Sequence, residues 1–400
     1  MENIYNLNAY DYPLPEKLIT QKPANPPDNC KLLIVEKLKP LSLKDEIFKN
    51  IPNYLSWNEI FFFNNTKVIK ARIYLNNQNL KLVNRNWNIS NIKDWEILFL
   101  DKIDDYTFKA IVRPWKKFKV WNKLIFDNKI ILKIIDYIPE WRIIKSSIPI
   151  QELFKLYWHL PLPPYIKFEE EKEKYYQSIF ALKPGSIAAP TASLHFTPTL
   201  IQKIKNKGCK FEYTTLHVWL GTFKKVDVED ITKYDIHEEI AEINTQLFEK
   251  IAKYKLNKNP IIAVGTTVTR TLESLPYLWK YLKINNILEN LNLSEKTIQF
   301  WNDLTKDIKN EDSIIKFSPD LLKTSLSLDF LTFRTKLYIY PWFTFKIIDQ
   351  LITNFHLPKS SLLMLVAAFM GYENMKKTYQ YAIEKKYKFF SFWDAMRILK

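Results

Sequence analysis

Short apolar runs separated by polar turns dominate the chain between residues 69 and 150. IKARIYL, WEILFL, TFKAIV, NKLIF and KIILKIIDYI are rich in β-branched and aromatic residues, and Asn, Asp and Lys separate them. Runs of this length and spacing are typical of strands joined by tight turns. The segment therefore predicts a small antiparallel β-barrel or sandwich domain.

The segments on either side mix strand and helix patterns. IIAVGTTVTRTLESL, from residue 261, predicts a strand, a turn and then a helix, and SSLLMLVAAFMGYENMKKTYQYAIEKK, from residue 360, predicts a pair of helices. We predict an α/β fold: a three-layer main domain formed by residues 1–68 and 151–400, with the β-barrel domain of residues 69–150 inserted into it. The polar residues 276–335 are expected to form a helical insertion within the main domain.

Composition adds one anomaly. The chain has 5 glycines in 400 residues, whereas the usual frequency of about 7% would give about 28. Every compact fold needs positions of positive φ and close backbone approach, which glycine supplies at least cost. The abundance of Lys, Asn, Ile, Phe and Tyr suggests an A/T-rich genome, which would disfavour the G-rich glycine codons.

The formal net charge of +16 favours a polyanionic partner such as a nucleic acid, because Lys and Arg displace counterions from phosphates. The same codon bias also enriches lysine, and lysines spread over the surface would give this charge without any partner. Charge alone leaves both interpretations open.

Several classes of protein are disfavoured. Cys30 and Cys209 are far apart and lack metal-ligand spacing, so neither a disulfide framework nor a zinc site is expected. No run approaches 18 uncharged apolar residues, and the first residues lack a basic start followed by an apolar stretch. We expect a cytoplasmic protein.

Several stretches are dense in unusual residues. They are FFFNNTKVIKAR (61–72), HLPLPPYI (159–166), KPGSIAAPTASLHF (183–196), TLHVWLGTF (215–223), IIAVGTTVTRTLES (261–274), LITNFHLPKSSLLMLVAAF (351–369) and KYKFFSFWDAM (386–396). In this order they closely resemble the S-adenosylmethionine:tRNA ribosyltransferase-isomerases of queuosine biosynthesis. The resemblance runs from PLPEKLI near the amino terminus to the tail, and only residues 276–335 match loosely.

The resemblance implies an enzyme that moves the ribosyl part of S-adenosylmethionine onto a 7-aminomethyl-7-deazaguanine at the tRNA wobble position. Epoxyqueuosine would form, and adenine and methionine would leave. The implied partners are a tRNA anticodon loop and S-adenosylmethionine, which is a consumed substrate. No metal, redox cofactor or membrane is expected, and we expect a monomer.

This chemistry needs a base for the ribose C–H bonds beside the sulfonium and a proton donor for adenine. Histidine can serve either role near neutral pH, although a lone histidine is more often a structural hydrogen bonder. His195 follows the small residues 186–189 and is the first candidate, and His159, beside prolines, is the expected structural one. The other catalytic candidates are His217, His356 and His237 with Glu238 and Glu239, although these carboxylates could simply begin a helix.

The strand-to-helix turn of GTTVTRTLES offers free N–H groups for a carboxylate or phosphate. Arg270 could grip the methionine carboxylate or a tRNA phosphate, unless it is a plain surface arginine. Asn64, Asn65 and Thr66 could contact hydroxyls or base edges, or could only satisfy a turn. The remaining substrate-binding candidates in the matching motifs are Arg72, Lys183, Thr191, Gly221, Thr266, Thr267 and Asn354.

Seven of the twelve tryptophans stand where the resemblance predicts glycine. They are Trp57, Trp115, Trp121, Trp158, Trp219, Trp342 and Trp393. A change from glycine to tryptophan is among the worst steric exchanges available. We expect that the gene uses UGA as a glycine codon and that these residues are glycine in the native protein. A diverged or decaying paralogue with true tryptophans is the alternative.

Two other functions stay open, a non-catalytic RNA-binding protein and an inactive relic. The patterns GxGxxG, GxxxxGK[ST] and GxSxG are absent from the sequence, which disfavours a Rossmann dehydrogenase, a P-loop enzyme and a serine hydrolase.

Overall fold

The structure, a computed structural model, divides the chain into two compact units, Met1–Lys67 with Tyr175–Lys400 and Val68–Lys174. We call them the main unit and the second unit. The second unit begins near the predicted boundary and continues beyond residue 150 to Lys174. The structure describes all residues except 1–2, 38, 76–79, 91–94, 127–128, 139–140, 158, 162–169, 219–225, 309–313, 317–328, 391, 393 and 400.

The main unit is built on a large mixed sheet. Among the described residues its ten strands follow the order β17-β18-β15-β14-β3-β16-β19-β20-β1-β2, and β4 pairs separately with β13. The strands are β1 Lys31–Glu36, β2 Ser42–Ile47, β3 Ile60–Asn64, β4 Thr66–Val68, β13 Lys183–Ser186, β14 Lys210–His217, β15 Glu239–Asn244, β16 Ile261–Val264, β17 Ile315–Lys316, β18 Phe330–Thr335, β19 Gln350–Asn354 and β20 Ala395–Leu399.

The second unit is an antiparallel sheet followed by one helix. Its strand order among the described residues is β5-β8-β9-β12-β11-β10-β6-β7. The alternating runs of the sequence therefore form strands as predicted, and the mixed α/β class with a small antiparallel sheet domain is confirmed. The elements are β5 Arg72–Leu75, β6 Leu80–Val83, β7 Ile89–Ser90, β8 Trp95–Lys102, β9 Thr107–Arg113, β10 Lys123–Phe126, β11 Ile130–Ile138, β12 Trp141–Ser146 and the helix α1 Ile150–Tyr157.

Polar caps and glycines fix the helix ends of the main unit. Side chains of Thr197, Ser294 and Ser360 cap α2, α5 and α6, which satisfies a backbone N–H that the helix leaves unpaired. Gly371, with φ of +90°, separates the predicted helix pair α6 and α7. The helices are α2 Pro198–Asn206, α3 Leu247–Leu256, α4 Thr266–Ile284, α5 Glu295–Thr305, α6 Ser361–Met370 and α7 Tyr372–Glu384.

Short 3₁₀ helices connect many of these elements. They are Leu7–Tyr10, Glu16–Leu18, Pro27–Asn29, Phe48–Tyr54, Trp115–Lys117, Glu170–Tyr175, Thr191–His195, Ile231–Lys233 and Leu288–Asn290. No helix in the described part of the chain has both the length and the apolarity that crossing a bilayer would require.

The predicted helical insertion, residues 276–335, is only partly a separate feature. Its first residues continue α4 to Ile284, and its last residues form β18, which pairs antiparallel with β15 in the main sheet. Between them, α5 packs Trp301 against Trp279 of α4, with ring centroids 5.7 Å apart. The FLTFRT segment alternates apolar and polar side chains, which is the pattern of a strand with one buried face.

A phenylalanine-rich core lies under the centre of the main sheet. Phe61 and Phe63 of β3 are fully buried and pack against Phe196, at centroid distances of 6.4 and 4.9 Å. The same cluster contains Ala192 and Cys30. Because Phe196 directly follows the 3₁₀ helix Thr191–His195, this core holds that helix against the sheet.

Candidate active site

The carboxyl ends of four parallel strands meet at one edge of the main sheet. β14 runs parallel to β3, β3 to β16, and β16 to β19. Gly265, directly after β16, donates its amide to the carbonyl of Ile352 in β19 at 2.8 Å. In open α/β sheets, ligands bind outside this edge. The edge brings together Asn64, His217 and Asn354, which come from three separate motifs of the sequence.

His217, the last residue of β14, is held on two sides. Its Nδ1 lies 2.8 Å from Thr66 Oγ1. The backbone of Gly185 approaches the ring so closely that a Cβ at this position would lie 2.8 Å from His217 Cε1. If Nδ1–H donates to the Thr66 hydroxyl, Nε2 carries the lone pair that can accept a proton. The imidazole is therefore held in position by Thr66 and Gly185.

The surroundings of His217 keep its ring neutral. Burial, and then the positive charge of Lys183, hold the pKa of His217 below its ordinary value. Lys183 is paired with Glu242 of β15, and its ammonium lies 4.1 Å from the centroid of the Phe330 ring. Because both effects disfavour the imidazolium form, His217 is mostly neutral at neutral pH. Neutral imidazole is the form that acts as a general base.

Asn64 and Asn65 hold the two strands that carry this histidine. The Asn64 side chain accepts from the Leu216 amide at 3.1 Å and donates to the Leu216 carbonyl at 2.9 Å. Thr215 donates its hydroxyl to Asn65 Oδ1 at 2.7 Å. These bonds fix the end of β14 beside β3. They support a positioning role for both asparagines rather than contact with a substrate base.

A buried ion pair lies next to His217 in the sheet. Glu239 begins β15, where the following residue, Ile240, pairs with His217. The Glu239 carboxylate accepts a hydrogen bond from Arg270 Nη1 and lies 3.2 Å from His237 Nε2. Arg270 is only 6% exposed, so it is not the surface arginine that the sequence left open.

The amino end of α4 lies at the same edge. Gly265 is its N-cap residue, with φ of +96°, and supplies no side chain to cap the helix. Thr266 and Thr267 are the first two helical residues. The free N–H groups of such a helix end, with the positive end of its dipole, favour a negatively charged group.

His195, the first candidate for proton transfer, lies inside the core. Its Nε2 is 2.9 Å from Asn354 Oδ1 and its Nδ1 is 3.2 Å from Cys30 Sγ. Burial lowers the pKa of His195 to about 4, and the Phe48 ring packs against the imidazole. Both ring nitrogens are occupied and the residue is 3% exposed. The structure therefore supports a role for His195 in positioning Asn354 rather than in moving a substrate proton.

His356 is anchored just beyond β19. Its Nε2 lies 2.9 Å from Thr353 Oγ1, and its amide donates to the Tyr379 hydroxyl at 3.0 Å. The Tyr12 hydroxyl donates to the His356 carbonyl. Burial lowers the pKa of His356 to about 3. The ring is therefore neutral, and its place at the strand edge keeps it a candidate for substrate contact.

Two predicted residues lie in the second unit. Arg72 Nε pairs with Glu96 at 3.0 Å, which uses its charge within that unit. His159 Nδ1 lies 2.9 Å from Glu173 Oε1, and this is the kind of structural partner expected for it. Neither residue is part of the strand edge described above.

Three further predicted residues are Thr191, Glu238 and Gly221, of which the structure describes the first two. Thr191 begins the 3₁₀ helix that carries His195, and Glu238 is half-buried beside Glu239. Gly221 lies outside the described residues. No three His, Cys, Asp or Glu side chains within the described ranges are grouped as a metal ion would require, and the absence of a cofactor stays a prediction.

Sequence reasoning missed Gly185, whose closeness to His217 depends on how β13 packs beside the end of β14. A signal was available, since a chain that retains only 5 glycines is expected to keep them where no side chain fits. Glu239 was named only as a neighbour of His237, and its pairing with Arg270 joins segments 31 residues apart in the sequence.

Comparison with known proteins places these motifs in one family. The family described as "Queuosine biosynthesis protein" matches residues 7–398. A relative from Sulfurihydrogenibium sp. (strain YO3AOP1), named S-adenosylmethionine:tRNA ribosyltransferase-isomerase, is 39% identical over 396 residues, covering 98% of this chain and 99% of the relative. A relative of the same name from Thermosipho melanesiensis is 37% identical, covering 97% and 98%.

A solved structure is also similar. The crystal structure of S-adenosylmethionine tRNA ribosyltransferase from Thermotoga maritima is 28% identical, covers 98% of this chain and all of its own, and aligns with a TM-score of 0.48. The family match spans almost the whole sequence, and both curated relatives exceed one third identity over nearly their full length. This chain therefore belongs to the queuosine biosynthesis protein family.

Proposed function

We propose that this chain is an S-adenosylmethionine:tRNA ribosyltransferase-isomerase of queuosine biosynthesis. It transfers the ribosyl group of S-adenosylmethionine to the aminomethyl group of 7-aminomethyl-7-deazaguanine in the tRNA anticodon loop. Epoxyqueuosine forms, and adenine and methionine are released. Its two substrates are the tRNA and S-adenosylmethionine; the cytoplasmic location and the monomeric state stay predictions.

The observation that carries the catalytic part of this proposal is the environment of His217. The reaction needs a base for a ribose C–H bond that the neighbouring sulfonium acidifies. His217 is neutral, has its Nδ1 engaged by Thr66 and lies at the carboxyl edge of parallel strands. A neutral imidazole held in position can accept a proton in such a step. We therefore assign the proton abstraction to His217 Nε2.

The basic charge of the chain fits the second substrate. A net charge of +16 lowers the free energy of binding to a phosphate backbone at low salt. This attraction is independent of sequence, so it brings the tRNA to the protein without selecting the wobble base. Selection falls to groups near His217 that can contact an unstacked base.

The direct test is incubation with S-adenosylmethionine and tRNA that carries the aminomethyl-deazaguanine. Adenine should appear in proportion to the modified tRNA, and omission of the tRNA should stop multiple turnovers. S-adenosylmethionine alone should raise the melting temperature, because a ligand bound only by the native state stabilises it. A protein that binds the tRNA but shows neither adenine release nor this shift would be a non-catalytic RNA-binding protein.

A further inference from the structure

Three buried polar atoms without a hydrogen-bond partner belong to the first turns of α4 or to a residue that contacts its ion pair. Within the described part of the chain, Thr267 Oγ1, Arg270 Nη2 and His237 Nδ1 have less than 1 Å² exposed and no partner. Buried polar atoms are nearly always paired, so a group of unpaired ones indicates a missing ligand or water. A buried donor without a partner has lost its bond to water and gained none in return, so several of them around one helix end are unfavourable unless a ligand binds there.

Arg270 is linked to Thr267 by the face of α4 and to His237 through Glu239. Thr267 and Arg270 are three positions apart on α4 and so lie on the same helix face. Arg270 donates Nε to the Leu337 carbonyl at 3.1 Å and Nη1 to Glu239, which also contacts His237. The guanidinium is thus fixed by two bonds, and its Nη2 is left to face a ligand.

We infer that Thr267, Arg270 and the first-turn amides of α4 bind the methionine carboxylate of S-adenosylmethionine. This inference rests on the proposed function. The available groups are donors, which suits an acceptor with two oxygens, and a guanidinium pairs well with a carboxylate. The main alternative is a tRNA phosphate. Burial of Arg270 to 6% exposure favours the small substrate, because a backbone phosphate is attached to a bulky chain.

The carboxylate site and the proposed base lie at the same end of the sheet. Ile240 pairs with His217, so the side chain of Glu239, the residue before Ile240, points to the other face of the sheet. A substrate that contacts both Arg270 and His217 therefore has to pass over the ends of the strands.

The test compares S-adenosylmethionine with its decarboxylated analogue, which lacks only this carboxylate. Wild type should bind S-adenosylmethionine more tightly than the analogue. Thr267→Val should raise the Kd for S-adenosylmethionine about 10-fold or more, as expected for loss of a hydrogen bond to a charged group, and leave the Kd for the analogue unchanged. Thr267→Ser keeps the hydroxyl and is the matched control. Calorimetry gives the Kd of each compound for wild type, Thr267→Val and Thr267→Ser.

Valine has nearly the shape of threonine and removes an atom without a partner, so the variant should fold normally. Equal affinity of wild type for the two compounds, or an equal loss for both in Thr267→Val, would overturn the carboxylate site. Weaker tRNA binding by Thr267→Val, with unchanged binding of S-adenosylmethionine, would also overturn the carboxylate site. If wild type binds neither compound and releases no adenine, the proposed function itself fails.

A second inference comes from the backbone at two tryptophans. Trp87 has φ of +60° and Trp121 has φ of +76°, in the left-handed region that is a rare outlier for a bulky residue and ordinary for glycine. Trp87 sits in the tight connection between β6 and β7, where its amide donates to the Asn84 carbonyl at 3.1 Å. Hairpin connections of this kind commonly carry glycine at the left-handed position.

Exposure separates seven of the tryptophans into two groups, and Trp141 is half-buried between them. Trp57, Trp87, Trp115, Trp121 and Trp342 are between 46% and 77% exposed. Trp279 and Trp301 are fully buried, and their indole N–H groups donate to Asn302 and to the Phe248 carbonyl. The buried pair is packed and paired as tryptophan normally is. The exposed group includes four of the seven positions that the sequence predicted to be glycine, and the other three lie outside the described residues.

The structure thus assigns glycine to positions 87 and 121 of the native protein from their backbone, and tryptophan to Trp279 and Trp301 from their packing. At positions 57, 115 and 342 the exposed indoles are compatible with the glycine expected from the sequence. A UGA codon translated as glycine explains the assignment and the scarcity of glycine together. A rival is a nucleic-acid stacking surface of true indoles, since Lys123 and Lys133 lie over the Trp87 and Trp121 rings.

Peptide mass spectrometry on the protein isolated from its own cells distinguishes the two. We expect glycine at the five exposed positions and tryptophan at the two buried ones. Tryptophan at Trp87 and Trp121 would overturn the inference, and glycine at Trp279 or Trp301 would overturn the structural criterion on which it rests.

Discussion

Replacing His217 by glutamine is expected to slow adenine release by about 10²- to 10⁴-fold, the usual contribution of a general base. Glutamine can still bond to Thr66, but it has no basic nitrogen. Since the proposed carboxylate site lies on α4 and β15, the affinity for S-adenosylmethionine should be unchanged. Single-turnover adenine release gives the rate, and calorimetry gives the Kd.

His159→Gln is the matched control, because His159 lies in the second unit beside Glu173, and it should release adenine at the wild-type rate. The pH profile gives independent support. The proposed mechanism requires the neutral imidazole, and the pKa of His217 is lowered. Activity of wild type should therefore rise with pH, with the midpoint of the rise below the ordinary histidine value of about 6.5, and then level off. A His217→Gln enzyme with wild-type turnover would remove His217 from the mechanism.

A chain made with glycine at the seven predicted positions should be more active and more stable than the chain with tryptophan. These positions are 57, 115, 121, 158, 219, 342 and 393. The indoles of Trp57, Trp115, Trp121 and Trp342 are exposed. They therefore do not destabilise the protein by overpacking its core, contrary to the steric argument made from the sequence. At Trp121 we expect glycine to increase stability through the backbone, because a non-glycine residue in the left-handed conformation costs about 1–2 kcal/mol.

Adenine release and thermal melting of the two proteins measure this effect. A third protein with Trp301→Gly is the control. Trp301 is fully buried and stacks on Trp279, so its loss should cost at least the roughly 3–5 kcal/mol of a large-to-small core change. Equal activity and equal melting temperature of the seven-glycine chain and the tryptophan chain would contradict the expectation.

Sequence patterns predicted most elements of the fold. The alternation of apolar and polar residues identified the strands of the second unit, and the GTTVTRTLES turn identified the start of α4. Both features are determined by residues that are close together in the sequence. β18 was missed, since FLTFRT is short and follows a long polar segment. Only its pairing with β15 shows that it belongs to the main sheet.

The site was harder to predict than its parts. The motifs containing Asn64, His217, Thr267 and Asn354 were all identified, but the order of the strands that carry them depends on distant pairing. The small residues before His195 suggested close approach of a ligand, whereas the core around Phe196 fills that space. The depth of burial distinguishes His195, a core residue, from His217, the proposed base. Burial follows from packing that a sequence pattern does not specify.

The attachment of His217 to the end of a strand has a consequence for the tRNA. Bonds between Asn64 and Leu216 fix this strand end to its neighbour, so the imidazole cannot travel outward to a base that is stacked in the anticodon. With His217 as the base, we expect the wobble nucleotide instead to swing out of its stack and enter the protein. Such extrusion costs a few kcal/mol and least in a strand that is already unpaired, which makes a loop a more accessible target than a duplex.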